Sequence, residues 1–133
     1  MQKRVLVVDD EEEVRDFLSA VLEENGHIPL IAENGIKAME IAEEEQPDLI
    51  IMDILMPMQG GIKLYRALKS SDALRDIPVM IYSGIAKRTF LRTQESRTEM
   101  GDQQVPDPEA YIEKPAKAEQ LEGVINKVLS RRP

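Results

Sequence analysis

Short, wholly apolar runs alternate with singly striped amphipathic segments along most of this 133-residue chain. Few folds accept such a pattern. "KRVLVVDD" (3–10) is Val-rich and ends in acid, which predicts a strand. From Glu11 the period changes: Val14, Phe17, Leu18, Val21 and Leu22 fall on one helical face, and "NG" at 25–26 supplies a stop. "HIPLIAEN" (27–34) predicts a second strand, with Pro29 marking an edge strand or a strand start. Asn34 then caps a helix that turns Ala38, Ile41 and Ala42 inward. "DLIIMD" (48–53) is the third strand, "GIKLYRALKSS" (61–71) the third helix and "IPVMIYSG" (77–84) the fourth strand. A fourth helix is expected from about Ala86 to Met100, and a fifth strand at "EAYIEKP" (109–115). The last helix, 117–130, repeats the stripe with Leu121, Val124, Ile125, Val128 and Leu129.

Strands apolar on both faces, separated by single amphipathic helices, imply a parallel sheet covered on both sides. Right-handed crossovers make this a five-stranded, doubly wound α/β sandwich. Residues 1–133 are expected to form one domain, with no internal repeat, low-complexity tract or linker. A net charge of −8 argues against direct nucleic-acid binding, because phosphate backbones repel such a surface. Arg131 and Arg132 are too few to reverse it, and read as solvated charges at a helix C-terminus. No apolar stretch approaches a membrane span, and no signal peptide opens the chain. The lack of cysteine excludes disulfides and thiolate metal sites, and is compatible with a reducing cytosol.

In an open parallel sheet, ligands bind beyond the carboxyl ends of the strands. There this sequence delivers Asp9 and Asp10 from strand one, Asp53 from strand three, Ser83 from strand four and Lys114 from strand five. Clustered carboxylates repel each other, so a cation among them makes sense. Oxygen donors alone favour a hard ion such as Mg²⁺, which binds through few carboxylates and keeps waters. The incomplete cage leaves room for phosphate oxygens, which Lys114 and the Ser83 hydroxyl can contact. Asp53 is then placed as a nucleophile that forms an aspartyl phosphate.

"VLVVDDE" (5–11), "DLIIMDILMPMQGG" (48–61), "PVMIYSG" (78–84) and "YIEKP" (111–115) together resemble the receiver domain of two-component response regulators. The resemblance covers nearly the whole chain. It implies a CheY-like, flavodoxin-like three-layer sandwich with strand order 2-1-3-4-5. It implies that Asp53 is the phosphoacceptor, and that Asp9, Asp10, Asp53 and the Leu55 main-chain carbonyl hold Mg²⁺, for which Mn²⁺ can substitute. Ser83 and Lys114 match the family's phosphate-contacting hydroxyl and lysine, and Tyr111 its aromatic switch position. A cis peptide is implied at Lys114–Pro115. A cytoplasmic switch follows, phosphorylated by a sensor histidine kinase or phosphotransfer protein and acting through a downstream protein, with no membrane or nucleic-acid contact of its own. It would catalyse only its own phosphotransfer and a slow self-dephosphorylation.

Each residue also has a plainer reading. Asp9 and Asp10 can cap the first helix, Ser83–Gly84 is a natural turn pair, and Lys114 can be surface charge. Tyr111 can be packing, as can the methionines Met52, Met56 and Met58. His27, at an expected turn, is given no function. Two other functions compete: a phosphorylation-independent interaction module, and a Mg²⁺-dependent aspartyl-phosphate phosphatase. The phosphatase needs a second acid two residues after its nucleophile, where this chain has Leu55.

Two departures from the family pattern stand out. Residues 84–110, "GIAKRTFLRTQESRTEMGDQQVPDPEA", lengthen the region between the fourth helix and the fifth strand and end in a proline-interrupted loop. This segment is expected to shape a specialised partner surface, so that deleting 101–108 spares phosphorylation and impairs output. Leu55 and Ile85, the positions that flank the phosphoryl group, are both aliphatic and cannot orient an attacking water. Slow self-dephosphorylation is therefore expected.

Overall fold

The structure, a computed structural model, describes residues 2–56 and 60–131. Strands and helices alternate throughout. They run β1 (Arg4–Val8), α1 (Glu12–Glu24), β2 (Ile28–Ala32), α2 (Gly35–Glu45), β3 (Leu49–Met52), α3 (Gly61–Ser70), β4 (Val79–Ser83), α4 (Lys87–Glu99), β5 (Ala110–Glu113) and α5 (Ala118–Ser130). All pairings are parallel and the strand order is β2-β1-β3-β4-β5. Pro29 thus lies on an edge strand, where a missing N–H is tolerated.

Period-two alternation divides the central strands between two cores. Leu6, Val8, Ile50, Met52 and Ile81 pack with residues of α2, α3 and α4. Val5, Val7, Leu49, Ile51, Met80 and Tyr82 pack with residues of α1 and α5. Every residue of β3 is buried, which explains why its run reads as continuously apolar. The edge strands β2 and β5 are only partly covered.

Local signals behave as expected at most helix ends. Asn34 Oδ1 accepts the Lys37 N–H at 2.9 Å and caps α2. Gly26, at φ +78°, follows the C-cap Asn25 of α1 in a conformation that glycine adopts without strain. The N-cap of α1 is Glu11, which makes no side-chain cap. Asp9 Oδ1 accepts the Glu11 N–H at 2.9 Å, a turn bond just before the helix, so neither Asp9 nor Asp10 caps α1. Met52 and Met56 are core residues, while Met58 and Arg132 lie outside the described residues.

His27 is buried rather than turn-exposed. Its Nδ1 accepts the Lys3 N–H at 3.2 Å, leaving Nε2 to donate to Asn126 Oδ1 at 3.1 Å. It ties Lys3, just before β1, to α5 as a structural residue. Among the described residues, no helix is long and apolar enough to cross a membrane.

Candidate functional site

The sheet ladder does not stop where the strands do. Asp53 N–H donates to the Val8 carbonyl at 3.1 Å, Asp9 N–H to Ala32 at 3.2 Å and Lys114 N–H to Ser83 at 2.8 Å. Each functional residue is therefore fixed one step past its strand by a backbone bond. A side chain on such a backbone holds its position closely.

Asp9, Asp10 and Asp53 converge: one carboxylate oxygen from each lies within 4.8 Å of the others. Asp9 and Asp53 are buried, 1% and 4% exposed, while Asp10 faces solvent. Lys114 Nζ donates to Asp9 Oδ2 and to Asp53 Oδ2, each at 2.9 Å, and lies 5.5 Å from the centre of the Tyr82 ring. The second oxygen of Asp53, Oδ1, accepts the Leu55 N–H at 2.9 Å. Both oxygens of Asp53 are thus hydrogen-bonded.

Electrostatics follow from this crowding. Burial pushes the Asp9 carboxyl above its usual range, against the lowering effect of the Glu11 N–H and of Lys114. Burial works against the Lys114 charge, yet the hydrogen bonds to Asp9 and Asp53 outweigh it and hold the ammonium above its ordinary pKa. Lys114 is a cation through the physiological range.

The donor set suits a hard divalent ion. Its groups are carboxylate oxygens from two strand ends, one of them solvent-facing, so an ion could reach them while keeping part of its water shell. Asp9, Asp10 and Asp53 are the residues that could hold it.

Gly61 packs against the turn that follows β3. It begins α3, and its N–H donates to the Ile54 carbonyl at 3.1 Å. A Cβ at this position would collide with backbone atoms of Ile54 and Asp53. Only glycine allows α3 to approach the Asp53–Ile54 turn so closely.

Ser83 is fully buried at the end of β4, where its Oγ accepts the Ile85 N–H at 3.3 Å. The turn reading of Ser83 is therefore also realised. Tyr111 is half-buried on β5, with its hydroxyl donated to the Ile85 carbonyl at 2.6 Å. Burial, with Glu113 and Asp53 nearby, pushes its phenol up to about 12. The Lys114–Pro115 peptide is cis, as the resemblance implied. Leu55 is 59% exposed and Ile85 rests partly buried against the core.

Sequence reasoning passed over three residues on the flank of the site. Tyr65, Arg66 and Phe90 are all buried, and they hold the lengthened segment before β5. Tyr65 donates its hydroxyl to the Pro106 carbonyl at 2.5 Å. Arg66 donates to the Gln103 carbonyl and, at 2.9 Å, to Gln94 Oε1 on α4. Burial, with Asp107 and Glu109 close by, raises the Tyr65 phenol far above its ordinary value.

Comparison with known proteins agrees with the fold. The sequence profile of the response regulator receiver domain matches residues 5–126. This chain belongs to that family, the receiver domains of two-component signalling. It is 35% identical over 115 residues to the polar-differentiation response regulator DivK of Brucella anthropi, covering 86% of each chain. It is 34% identical over 131 residues to the phosphate regulon transcriptional regulatory protein PhoB of Escherichia coli, covering 98% of this chain but only 53% of PhoB. Among solved structures, the receiver domain of a signal transduction histidine kinase from Syntrophus aciditrophicus superposes with a TM-score of 0.81 at 31% identity. That match covers 97% of this chain and 91% of the other. Receiver domains bind Mg²⁺ at an acidic pocket, and the Asp9, Asp10 and Asp53 cluster has that character.

Proposed function

We propose that this chain is a phosphorylation-controlled switch formed by a single receiver domain over residues 1–133. Asp53 accepts a phosphoryl group from a sensor histidine kinase or phosphotransfer protein, and output passes to a downstream protein in the cytoplasm, without direct contact to nucleic acid or membrane. One observation carries the reading: two buried carboxylates and an exposed one meet at the strand ends, bridged by one lysine.

The chemistry asks for an oriented carboxylate, charge neutralisation and shelter from water. Asp53 supplies the nucleophilic oxygen, which bonds to phosphorus as the donor's P–N bond breaks and the electron pair leaves with the donor imidazole. The Leu55 N–H fixes the carboxylate plane, and Lys114 offsets the negative charge on the transferring oxygens. Asp9, Asp10, Asp53 and the Leu55 carbonyl would hold Mg²⁺, or Mn²⁺ in its place, which when bound adds further positive charge beside the transferring group. Ser83 contacts the arriving phosphoryl group, and Tyr111 responds to the movement of the Ser83–Ile85 turn.

Leu55 and Ile85 offer no polar atom on their side chains to position a hydrolytic water, so the aspartyl phosphate is long-lived. A lifetime of only seconds in the purified protein would refute this. The reaction ends at the chain's own carboxylate, so the protein acts as a signalling component and not as an enzyme on a separate substrate.

Intact-mass measurement after exposure to acetyl phosphate with Mg²⁺ tests the reading. One stable added phosphoryl group is expected. No adduct points to a phosphorylation-independent interaction module, and rapid turnover of a phosphomonoester points to a phosphatase.

A further inference from the structure

The lengthened segment before β5 walls a groove that shares no residue with the acidic pocket. The segment runs up to the start of β5, where Glu109 N–H donates to the Val79 carbonyl at 2.9 Å. Asp9, Asp53 and Lys114 instead lie past the carboxyl ends of their strands. Between the segment and α4 the groove measures about 360 Å³, and Leu91, Gln94, Glu95, Glu99, Val105 and Asp107 are among its lining residues. Pockets that hold small ligands occupy ~300–1,000 Å³, so this one has room for a side chain and part of a backbone.

Two features of this lining are unmatched within the chain. The first is its charge. Glu95 and Glu99 are four residues apart on α4, where like charges disfavour each other, and Asp107 adds a carboxylate from the facing segment. Among the described residues none of the three is in an ion pair; the nearby Arg97 is paired with Asp102 at 3.2 Å. The cation in the lining, Arg66, donates to neutral groups, Gln94 Oε1 at 2.9 Å and the Gln103 carbonyl. The second feature is the Gln94 amide, in a side chain only 8% exposed. A guanidinium can only donate, so the oxygen of that amide faces Arg66. Its nitrogen, Nε2, has no partner among the described residues. No buried side-chain nitrogen or oxygen there is left unpaired, so Nε2 opens on the groove that Gln94 lines.

We propose that the groove docks a basic peptide segment of a partner protein, with a lysine or arginine head among Glu95, Glu99 and Asp107 and a main-chain carbonyl on Gln94 Nε2. The alkyl stem of that side chain lies along Leu91 and Val105, the apolar part of the lining. A bare metal ion does not meet the same need. Among the described residues, the only group of three or more carboxylates whose oxygens approach within 4.8 Å of one another is Asp9, Asp10 and Asp53. The groove calls for a cation large enough to reach separated carboxylates, and for an acceptor carried beside it. A peptide supplies both. The net charge of −8 draws a basic partner toward the chain and repels an acidic one. The docking site is independent of the phosphorylation reading, since no residue of it takes part in that chemistry.

Titration of the isotope-labelled, unphosphorylated chain with a terminally capped Gly-Arg-Arg-Gly peptide, followed by amide NMR, tests the proposal. Saturable shifts are expected at the backbone amides of Glu95, Glu99 and Asp107 and at the side-chain amide of Gln94. The double variant Glu95→Gln with Glu99→Gln changes only exposed side chains, so its spectrum should otherwise match the parent while binding weakens about tenfold. A capped Gly-Glu-Glu-Gly peptide should leave the spectrum unchanged. Spermidine, a cation without a carbonyl, should bind more weakly and leave the Gln94 side-chain amide unmoved. Equal binding by spermidine with the same Gln94 shift would show a general cation site and overturn peptide docking. Shifts centred on Asp9, Asp10 and Asp53 or spread over the whole acidic surface, no saturable shift at all, or undiminished affinity in the double variant would also overturn it. None of these results bears on whether Asp53 is phosphorylated.

Discussion

The acidic pocket lies at the carboxyl ends of the strands and the α4–β5 segment at the start of β5, and the two are held by different forces. In the pocket, charged groups project from backbone that the β-ladder continues to fix, and one ammonium is shared between two buried carboxylates. On the flank an exposed segment is fastened by a tyrosine hydroxyl and a guanidinium, over a stack of aromatic rings. The pocket is held by the backbone ladder and is electrostatically costly, with burial opposing the charges of both Asp9 and Lys114. The flank is tied by two side chains of α3 and packed on aromatic rings.

Substitutions should separate the two regimes. The largest effect is expected at Phe90, the buried link of the flank, where Phe90→Ala should cost about 3–5 kcal/mol in urea denaturation. A loss below about 1 kcal/mol would mean that the aromatic stack is not part of the core. In the pocket, Lys114→Met leaves two carboxylates without their shared partner and should cost about 2–3 kcal/mol in metal-free buffer. Added Mg²⁺ should recover much of that loss, because an ion that binds only the folded state stabilises it. A deficit indifferent to Mg²⁺ would show that the carboxylates do not hold the ion together.

Gly61→Ala forces a Cβ against the backbone of Ile54 and Asp53, and should cost about 1–3 kcal/mol. Phosphorylation by acetyl phosphate should slow in the same variant, since the acceptor's turn must shift. Tyr65→Phe removes one hydrogen bond of the flank and should cost about 1 kcal/mol, with phosphorylation unaffected. The smallest effect is a pH dependence. The Tyr111 phenol titrates near 12 in the folded protein and near 10 when unfolded, so between those values the folded state holds the extra proton. Stability conferred by the neutral phenol is complete below pH 10 and is lost as pH rises toward 12. Tyr111→Phe should flatten that part of the stability profile measured by thermal unfolding.

The difference between the two regions also governs what the sequence made legible. Asp9, Asp10, Asp53, Ser83 and Lys114 each end an apolar run, and parallel-sheet topology forces the ends of such runs onto one edge. The structure brings Asp9, Asp10, Asp53 and Lys114 together as period and position predict, while the Ser83 hydroxyl bonds within its own turn. The helices were legible for the same reason, α4 within a residue at each end. The flank left no such mark. Tyr65 and Arg66 look like ordinary members of an amphipathic helix, and their partners are backbone carbonyls of Gln103 and Pro106, which any residue would supply. Phe90 was visible as an isolated aromatic in a polar helix, a signal of burial that pointed to no partner. Close approach of α3 to the acceptor turn was likewise hidden, since Gly61 beside Gly60 reads as a turn and not as a contact.

The central claim is that Asp53, and no other carboxylate of the cluster, receives phosphorus. Borohydride reduction after treatment with acetyl phosphate and Mg²⁺ converts an acyl phosphate to the corresponding alcohol, and peptide mass mapping then locates it. The account predicts reduction at Asp53 alone, and none in Asp53→Asn. Reduction at Asp9 or Asp10, or an adduct that survives in Asp53→Asn, would contradict it.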